Sequence, residues 1–231
     1  MKKTIYSLLV CLTFVLVSCD DKTSFDDSRI TYYASFNVKG DQTMQVTVNT
    51  PFVDPGVVAT MNGVDVSNKI VVTGSVKPNT VGLYKLNYAV TNADGFTTSA
   101  SRTVIVCDPS VTTDISGNYT TVAGTYRLRA GATVNFPGFK VAVTKVAPGF
   151  FYVSDFFGGY YDQKAAYGVK YAESGYVQLH ADNTMSVLSS AVLPWGDTIT
   201  SLDNAVYNPA TKSISWAAQY AGSMTFYVVL K

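Results

Sequence analysis

Seven aromatic side chains fall within twelve positions: Phe150, Phe151, Tyr152, Phe156, Phe157, Tyr160 and Tyr161. Strand alternation cannot bury all of them on one side. Gly158-Gly159 lets the chain turn tightly between two aromatic pairs. Trp195 stands between Pro194 and Gly196, a loop setting. Exposed rings offer flat apolar faces to sugar C–H groups, and a phenol adds a polar handle. Asp155, Asp162 and Asp197 are near enough in sequence to accept hydroxyl hydrogen bonds beside such rings. Tyr160, Tyr161 and Trp195, with these three carboxylates, are the candidate ligand-binding residues. The same pattern also serves a β domain without disulfides, which needs a large aromatic core. Phe150, Phe151 and Phe156 read first as that core.

Other chemistry has thin support. The chain holds one His and one Glu. His180 has no second His with which to build a zinc site, and a lone His without a nucleophile elbow gives no triad. A two-carboxylate hydrolase would draw on Asp155, Asp162, Asp182, Asp197 and Asp203. Their spacing selects no pair, and each sits near a Gly or Asn in a turn-like setting, where Asp normally caps backbone N–H groups. Asp203-Asn204 lacks the spacing of a calcium loop. No phosphate-cradling or dinucleotide glycine motif occurs. The sequence therefore predicts no catalytic residues, no metal, no cofactor and no enzyme. Lys plus Arg number 17 against 16 Asp plus Glu, so no basic excess favours nucleic acid.

The elements that must hold these residues are β strands. The 231 residues are 47% apolar and only 14% charged, enough for a sizeable core. Short alternating runs dominate, rich in Thr, Val and Tyr, which suit a pleated, half-buried surface. Tyr84, Leu86, Tyr88 and Val90 share one face of a strand over 82–91. Asn92-Ala93-Asp94-Gly95 turns the chain, and 96–107 returns as a hairpin partner. Beyond Asp108-Pro109-Ser110, strands are expected at 117–129, 140–146, 149–154, 165–171, 175–180, 184–189, 201–207, 213–218 and 224–230. Asp182-Asn183 and Asn208-Pro209 are their clearest turns. The expected fold is all-β, with a sandwich at 30–108 and an antiparallel barrel-like or sandwich domain at 111–231.

The amino terminus has its own chemistry. Lys2 and Lys3 precede an apolar run from Ile5 to Val17 that is too short to span a bilayer comfortably. Leu16, Val17, Ser18 and Cys19 follow, and this run resembles the lipobox of bacterial lipoproteins. The resemblance implies a signal peptide at 1–18, cleavage before Cys19, and acylation of the Cys19 thiol and amine. Several acyl chains anchor stably where one is marginal. An ordinary secretory peptide with an incidental Cys is the alternative. Residues 19–29 form a polar tether. Its Asp20, Asp21, Asp26 and Asp27 resemble the surface-export signal of Bacteroidetes lipoproteins; a plain solvated linker is the alternative. With Cys11 removed and Cys19 acylated, Cys107 is the one remaining thiol and no internal disulfide can form.

Further resemblances cover most of the mature chain. Asp54-Pro55-Gly56-Val57, Val81-Gly82-Leu83-Tyr84, Tyr88, Asp94-Gly95 and Arg102-Thr103-Val104-Ile105-Val106 resemble the immunoglobulin-like domains of bacterial surface proteins. Ile115 to Tyr119, Val153 to Tyr161, Leu179 to Asn183, Trp195-Gly196-Asp197, Tyr207 to Thr211, Ser215-Trp216 and Tyr220-Ala221-Gly222 resemble the C-terminal β domain of a Bacteroidetes lipoprotein family. These resemblances imply a lipid-anchored, non-catalytic binding or accessory module at the outer membrane, on the cell surface. The implied partners are the membrane, a glycan, and an outer-membrane transporter or lipoprotein. A structural or adhesive protein with protein partners and no small ligand is the alternative.

Overall fold

The computed structural model describes residues 30–231. The expected signal peptide at 1–18, the expected acylation site Cys19 and the expected tether at 19–29 lie outside the described residues. None of the described helices is long and apolar enough to cross a membrane.

The first part of the chain forms β1 (Ser35–Val38), β2 (Thr43–Thr47), β3 (Val57–Met61), β4 (Val64–Asp65), β5 (Val71–Thr73), β6 (Gly82–Thr91) and β7 (Thr97–Cys107). They make a three-stranded sheet, β1-β3-β4, and a four-stranded sheet, β2-β7-β6-β5. The β6–β7 hairpin pairs residue for residue from Gly82–Val106 to Thr91–Thr97. Its turn is closed by Asn92, whose Oδ1 accepts the Asp94 and Phe96 amides. β2 runs parallel to β7.

The apolar core here is thin. Ala59, Val66 and Val90 are buried, with Phe36, Met61 and Ile70 packed around them. A polar knot sits beside it. Arg102 is fully buried, and its Nε pairs with Asp54 Oδ1 at 3.2 Å. Its Nη atoms donate to the carbonyls of Asp41 at 2.7 Å and Lys39 at 2.6 Å. Tyr88 donates its phenol to the other Asp54 oxygen at 2.7 Å. A buried guanidinium is tolerable because its donors find acceptors.

The second part forms β8 (Gly117–Thr120), β9 (Tyr126–Arg129), β10 (Ala132–Asn135), β11 (Lys140–Ala147), β12 (Phe150–Val153), β13 (Ser174–Leu179), β14 (Met185–Ala191), β15 (Ser201–Asn208), β16 (Ser213–Tyr220) and β17 (Met224–Leu230). They build two five-stranded antiparallel sheets, β10-β9-β17-β16-β15 and β14-β13-β12-β11-β8. The two sheets stay separate, linked by the isolated bridges Thr121–Leu230 and Thr184–Val206 rather than by a continuous ladder, so the domain is a sandwich and not a closed barrel. Phe151, Phe156, Phe157, Trp216 and Phe226 fill the space between the sheets.

Two expected strands differ from the observed ones. The run 117–129 is two strands, β8 and β9, because the chain turns at Gly124 (φ +96°). The run 165–171 is not a strand. A five-residue π-turn occupies Tyr160–Lys164 and a 3-10 turn occupies Val169–Tyr171. Positive φ at Ala166 (58°) and Gly168 (92°) breaks any extended path between them. The short β10 was not anticipated.

The two sandwiches meet through a small buried cluster. Ile105 and Cys107 of β7 pack with Ala147 of β11 and Phe150 of β12. Gln45 of β2 adds a hydrogen bond from Nε2 to the Val146 carbonyl at 2.7 Å. Cys107 is buried and free, and burial pushes its thiol pKa up, so it behaves as a packing residue.

Candidate functional site

The segment after β12 is tied down by a carboxylate. Asp155 is buried, and its Oδ1 accepts the amides of Phe157 at 2.8 Å and Glu173 at 3.1 Å. Its Oδ2 accepts the Gly159 amide at 2.8 Å. Burial, then the nearby Asp162 charge, push its pKa well up, while the three amides oppose the rise. Asp155 is therefore a loop anchor and offers nothing to a ligand, which corrects its place among the binding candidates.

The glycine pair then reverses the chain. Gly158 and Gly159 both have positive φ, 64° and 86°. A Cβ on Gly159 would come within 2.5 Å of Phe139 Cβ, so only glycine fits. The turn directs Phe156 and Phe157 inward, where both are fully buried. Trp216 seals this turn by donating its indole N–H to the Phe156 carbonyl at 2.8 Å.

Beyond the glycines the tyrosines part company with the core by degrees. Tyr160 is buried, 9% exposed, edge-on to Phe136 at 5.1 Å and to Phe226 at 5.4 Å. Tyr161 is half-buried and stands edge-on to Trp195 at 4.9 Å. Trp195 is 38% exposed. It sits at the tip of a tight turn between β14 and β15, in which Trp195 and Gly196 donate their amides to the Val192 carbonyl. Tyr171 lies 5.0 Å from the indole and the exposed Tyr167 lies 6.3 Å from it.

Tyr160, Tyr161, Tyr167 and Trp195 line an open recess of about 550 Å³. Tyr160, Tyr161, Trp195 and Asp197, all expected from the sequence, converge there. Asp197 accepts the Tyr220 phenol at 2.6 Å. Burial first, then that hydrogen bond to a carboxylate, raise the Tyr220 pKa far above its ordinary value and keep it protonated. Asp162 is elsewhere: it lines a separate recess of about 350 Å³ with Tyr119 and Lys140. Its Oδ2 accepts the Gln163 amide at 3.0 Å.

Sequence reasoning missed the charged and aromatic lining residues Arg127, Arg129, Tyr167 and Tyr220. Arg127 and Arg129 alternate on β9 with Tyr126 and Leu128, and that period-two signal was available once β9 was separated from β8. Tyr167 was read into a strand that does not exist.

His180 bonds Ser186 Oγ at 2.8 Å, and Asp182 caps the amide of Thr184. Asp203 accepts from Gln219. Among the described residues no three His, Cys, Asp or Glu side chains gather as a metal site.

A family model for the immunoglobulin-like domain of bacterial surface proteins matches residues 36–106, and one for a C-terminal domain matches residues 108–231. The crystal structure of the lipoprotein BT2262 from Bacteroides thetaiotaomicron is 39% identical, with a TM-score of 0.50, and the match covers 86% of this chain and all of that one. Two structures of Clostridium perfringens ZmpB also match. One, of a CBM51-2 domain in complex with GlcNAc and INT domains, is 17% identical, with a TM-score of 0.27 and coverage of 52% of this chain and 28% of that one. The other, of an M60 catalytic domain with CBM51-1 and CBM51-2, is 14% identical, with a TM-score of 0.29 and coverage of 55% and 14%. At such scores neither bears on fold or ligand. Comparison with curated proteins finds no match. Two adjoining domain models and a relative 39% identical over its whole solved chain agree: the chain belongs to the family of the lipoprotein BT2262, a bacterial surface immunoglobulin-like domain followed by a C-terminal β domain.

Proposed function

We propose that this protein is a non-catalytic binding lipoprotein, anchored through Cys19 at the outer membrane and facing the cell exterior, that captures a glycan in the Trp195 recess. One observation carries the reading. An exposed indole, a half-buried phenol and an exposed phenol stand around one recess, with the Asp197 carboxylate among them. Its volume is of the size that holds small ligands, roughly 300 to 1,000 Å³. Ring faces pack against sugar C–H groups and the carboxylate accepts hydroxyl hydrogen bonds. The first sandwich acts as a spacer between tether and recess.

The test is a glycan array on the chain from Asp20 onward, followed by titration of the hits. Trp195→Ala is expected to weaken binding about tenfold or more, the loss of roughly 1.4 kcal/mol. Unchanged affinity in Trp195→Ala removes the recess from the reading. A second reading, assembly with another protein, draws on the exposed pair Tyr33 and Phe96, whose rings lie 5.9 Å apart at the β6–β7 turn end of the first domain. Silence on the array together with self-association or partner capture lost in Phe96→Ser favours it.

A further inference from the structure

Arg127 and Arg129 occupy positions where a sandwich normally places apolar residues. They are two apart on β9, so they share one face of the strand. Arg127 is paired across the sheet with Phe226, and Arg129 with Met224. Phe226 is fully buried between the sheets. The face that carries both arginines is therefore the inward one, at the open end where the recess lies. Outward, Tyr126 stacks on Tyr227 at 4.5 Å.

Neither guanidinium has a carboxylate partner among the described residues, whose ion pairs are Arg102–Asp54 and Lys145–Asp114. The Arg127 Nε is buried without an acceptor. Its guanidinium carbon lies 4.8 Å from the centre of the Tyr160 ring, within cation–π range. Asp197, the carboxylate in the same recess, is engaged by Tyr220. Two cations, the part-buried Arg127 and the exposed Arg129, thus line the recess with one carboxylate. Leaving donors unpaired near a core is costly, and sequences break local rules of this kind mainly at functional sites.

We propose, building on the glycan reading above, that the recess selects acidic sugars: a carboxylate or sulfate substituent sits against Arg127 and Arg129 while the ring packs on Trp195. Arg is the residue suited to this task, since its planar fork meets two anionic oxygens at once.

The experiment compares matched acidic and neutral probes on the chain from Asp20 onward. Oligogalacturonate is titrated against its methyl ester, and heparin oligosaccharide against its desulfated form. Poly-glutamate serves as a charge-only control. The acidic member of at least one pair is expected to bind about tenfold or more tightly than its neutral counterpart, more weakly as salt rises. Arg127→Gln and Arg129→Gln should each lose most of that preference. Arg129→Lys should recover only part, because charge returns without the fork. Unchanged thermal unfolding of the exposed Arg129 variants separates recognition from folding. Equal binding of acidic and neutral members, lost in Trp195→Ala but unmoved in the arginine variants, overturns the acidic selection and leaves the glycan reading standing. Poly-glutamate binding as well as the sugars also overturns it. Binding of no glycan at all overturns both.

Discussion

Three arginines show how one side chain serves two ends. Arg102 is fully buried and meets an acceptor at each nitrogen: the Asp54 carboxylate, the Asp41, Lys39 and Gly56 carbonyls and the Met44 sulfur. It takes the place of apolar packing in a thin core. Arg127 and Arg129 face inward without such partners, and so remain free to meet an anion. The sequence makes no distinction between them, since each lies in an ordinary alternating strand; the acceptors come from distant segments. Removing Arg102 takes the cation from the part-buried Asp54 carboxylate, leaves the Lys39 and Asp41 carbonyls without their donor, and empties a fully buried site. Arg102→Ala is therefore expected to cost about 3–5 kcal/mol, the usual loss on breaking a buried pair. Urea unfolding of the variant checks this; a loss below about 1 kcal/mol would mean that water replaces the guanidinium without penalty.

At the scale of elements, the recess depends on one loop gripping another. Glu173 precedes β13 and is fully buried. Its backbone amide donates to Asp155, its carbonyl accepts from Phe156, and its Oε1 accepts the Ile199 amide at 3.1 Å. The aromatic turn at 155–161 is thereby joined to the loop that carries Trp195 and Asp197. Burial is the main cause that lifts the Glu173 pKa above its ordinary value, and the Asp197 charge adds to the rise. The folded state then holds this proton more tightly than the unfolded chain. Its stabilising contribution is complete below the ordinary glutamate range and is lost as pH rises through the folded value. Glu173→Gln cannot titrate, so its stability relative to the parent should rise from acid to neutral pH. Exposed aspartates such as Asp65, Asp108 and Asp182, whose pKa values are lowered by Ser and Thr hydrogen bonds, have the opposite slope in both proteins and cancel in the difference. Parallel denaturation profiles across that range would remove the Glu173 argument.

Strands were easier to read than this loop. The alternation of Tyr84, Leu86, Tyr88 and Val90 marks β6 over its observed span, because a half-buried strand writes its period directly into the chain. Asp182-Asn183 turns as its residue types require, with Asn183 at φ 65°. The π-turn at Tyr160–Lys164 carries no comparable period, and its form is set by Asp155 and the glycine pair acting together. The aromatic cluster was legible as a concentration of rings. Which rings went inward was not, since Phe157 and Tyr161 differ in burial through the path of a turn rather than through residue type.

For the whole molecule, the imbalance between the two cores has a mechanical consequence. The first sandwich holds a smaller apolar cluster than the second, and small cores rarely sustain a domain alone. It gains a second apolar contact where Ile105 and Cys107 meet Ala147 and Phe150. That contact lies on β7, the strand that also carries Arg102, so loosening it reaches the polar knot through one continuous element. Phe150 is almost wholly buried there. Phe150→Ala is expected to cost about 3–5 kcal/mol and to fall mainly on the first domain, while the second retains its large core between the sheets. The parent should unfold in one transition and the variant in two, the earlier belonging to residues 30–108. Calorimetry resolves the steps, and hydrogen exchange assigns them by the loss of protection in β6 and β7 ahead of β16 and β17. Two independent transitions already present in the parent would show that the junction transmits no stability. In that case the first domain would swing on its link instead of holding the recess at a fixed attitude to itself.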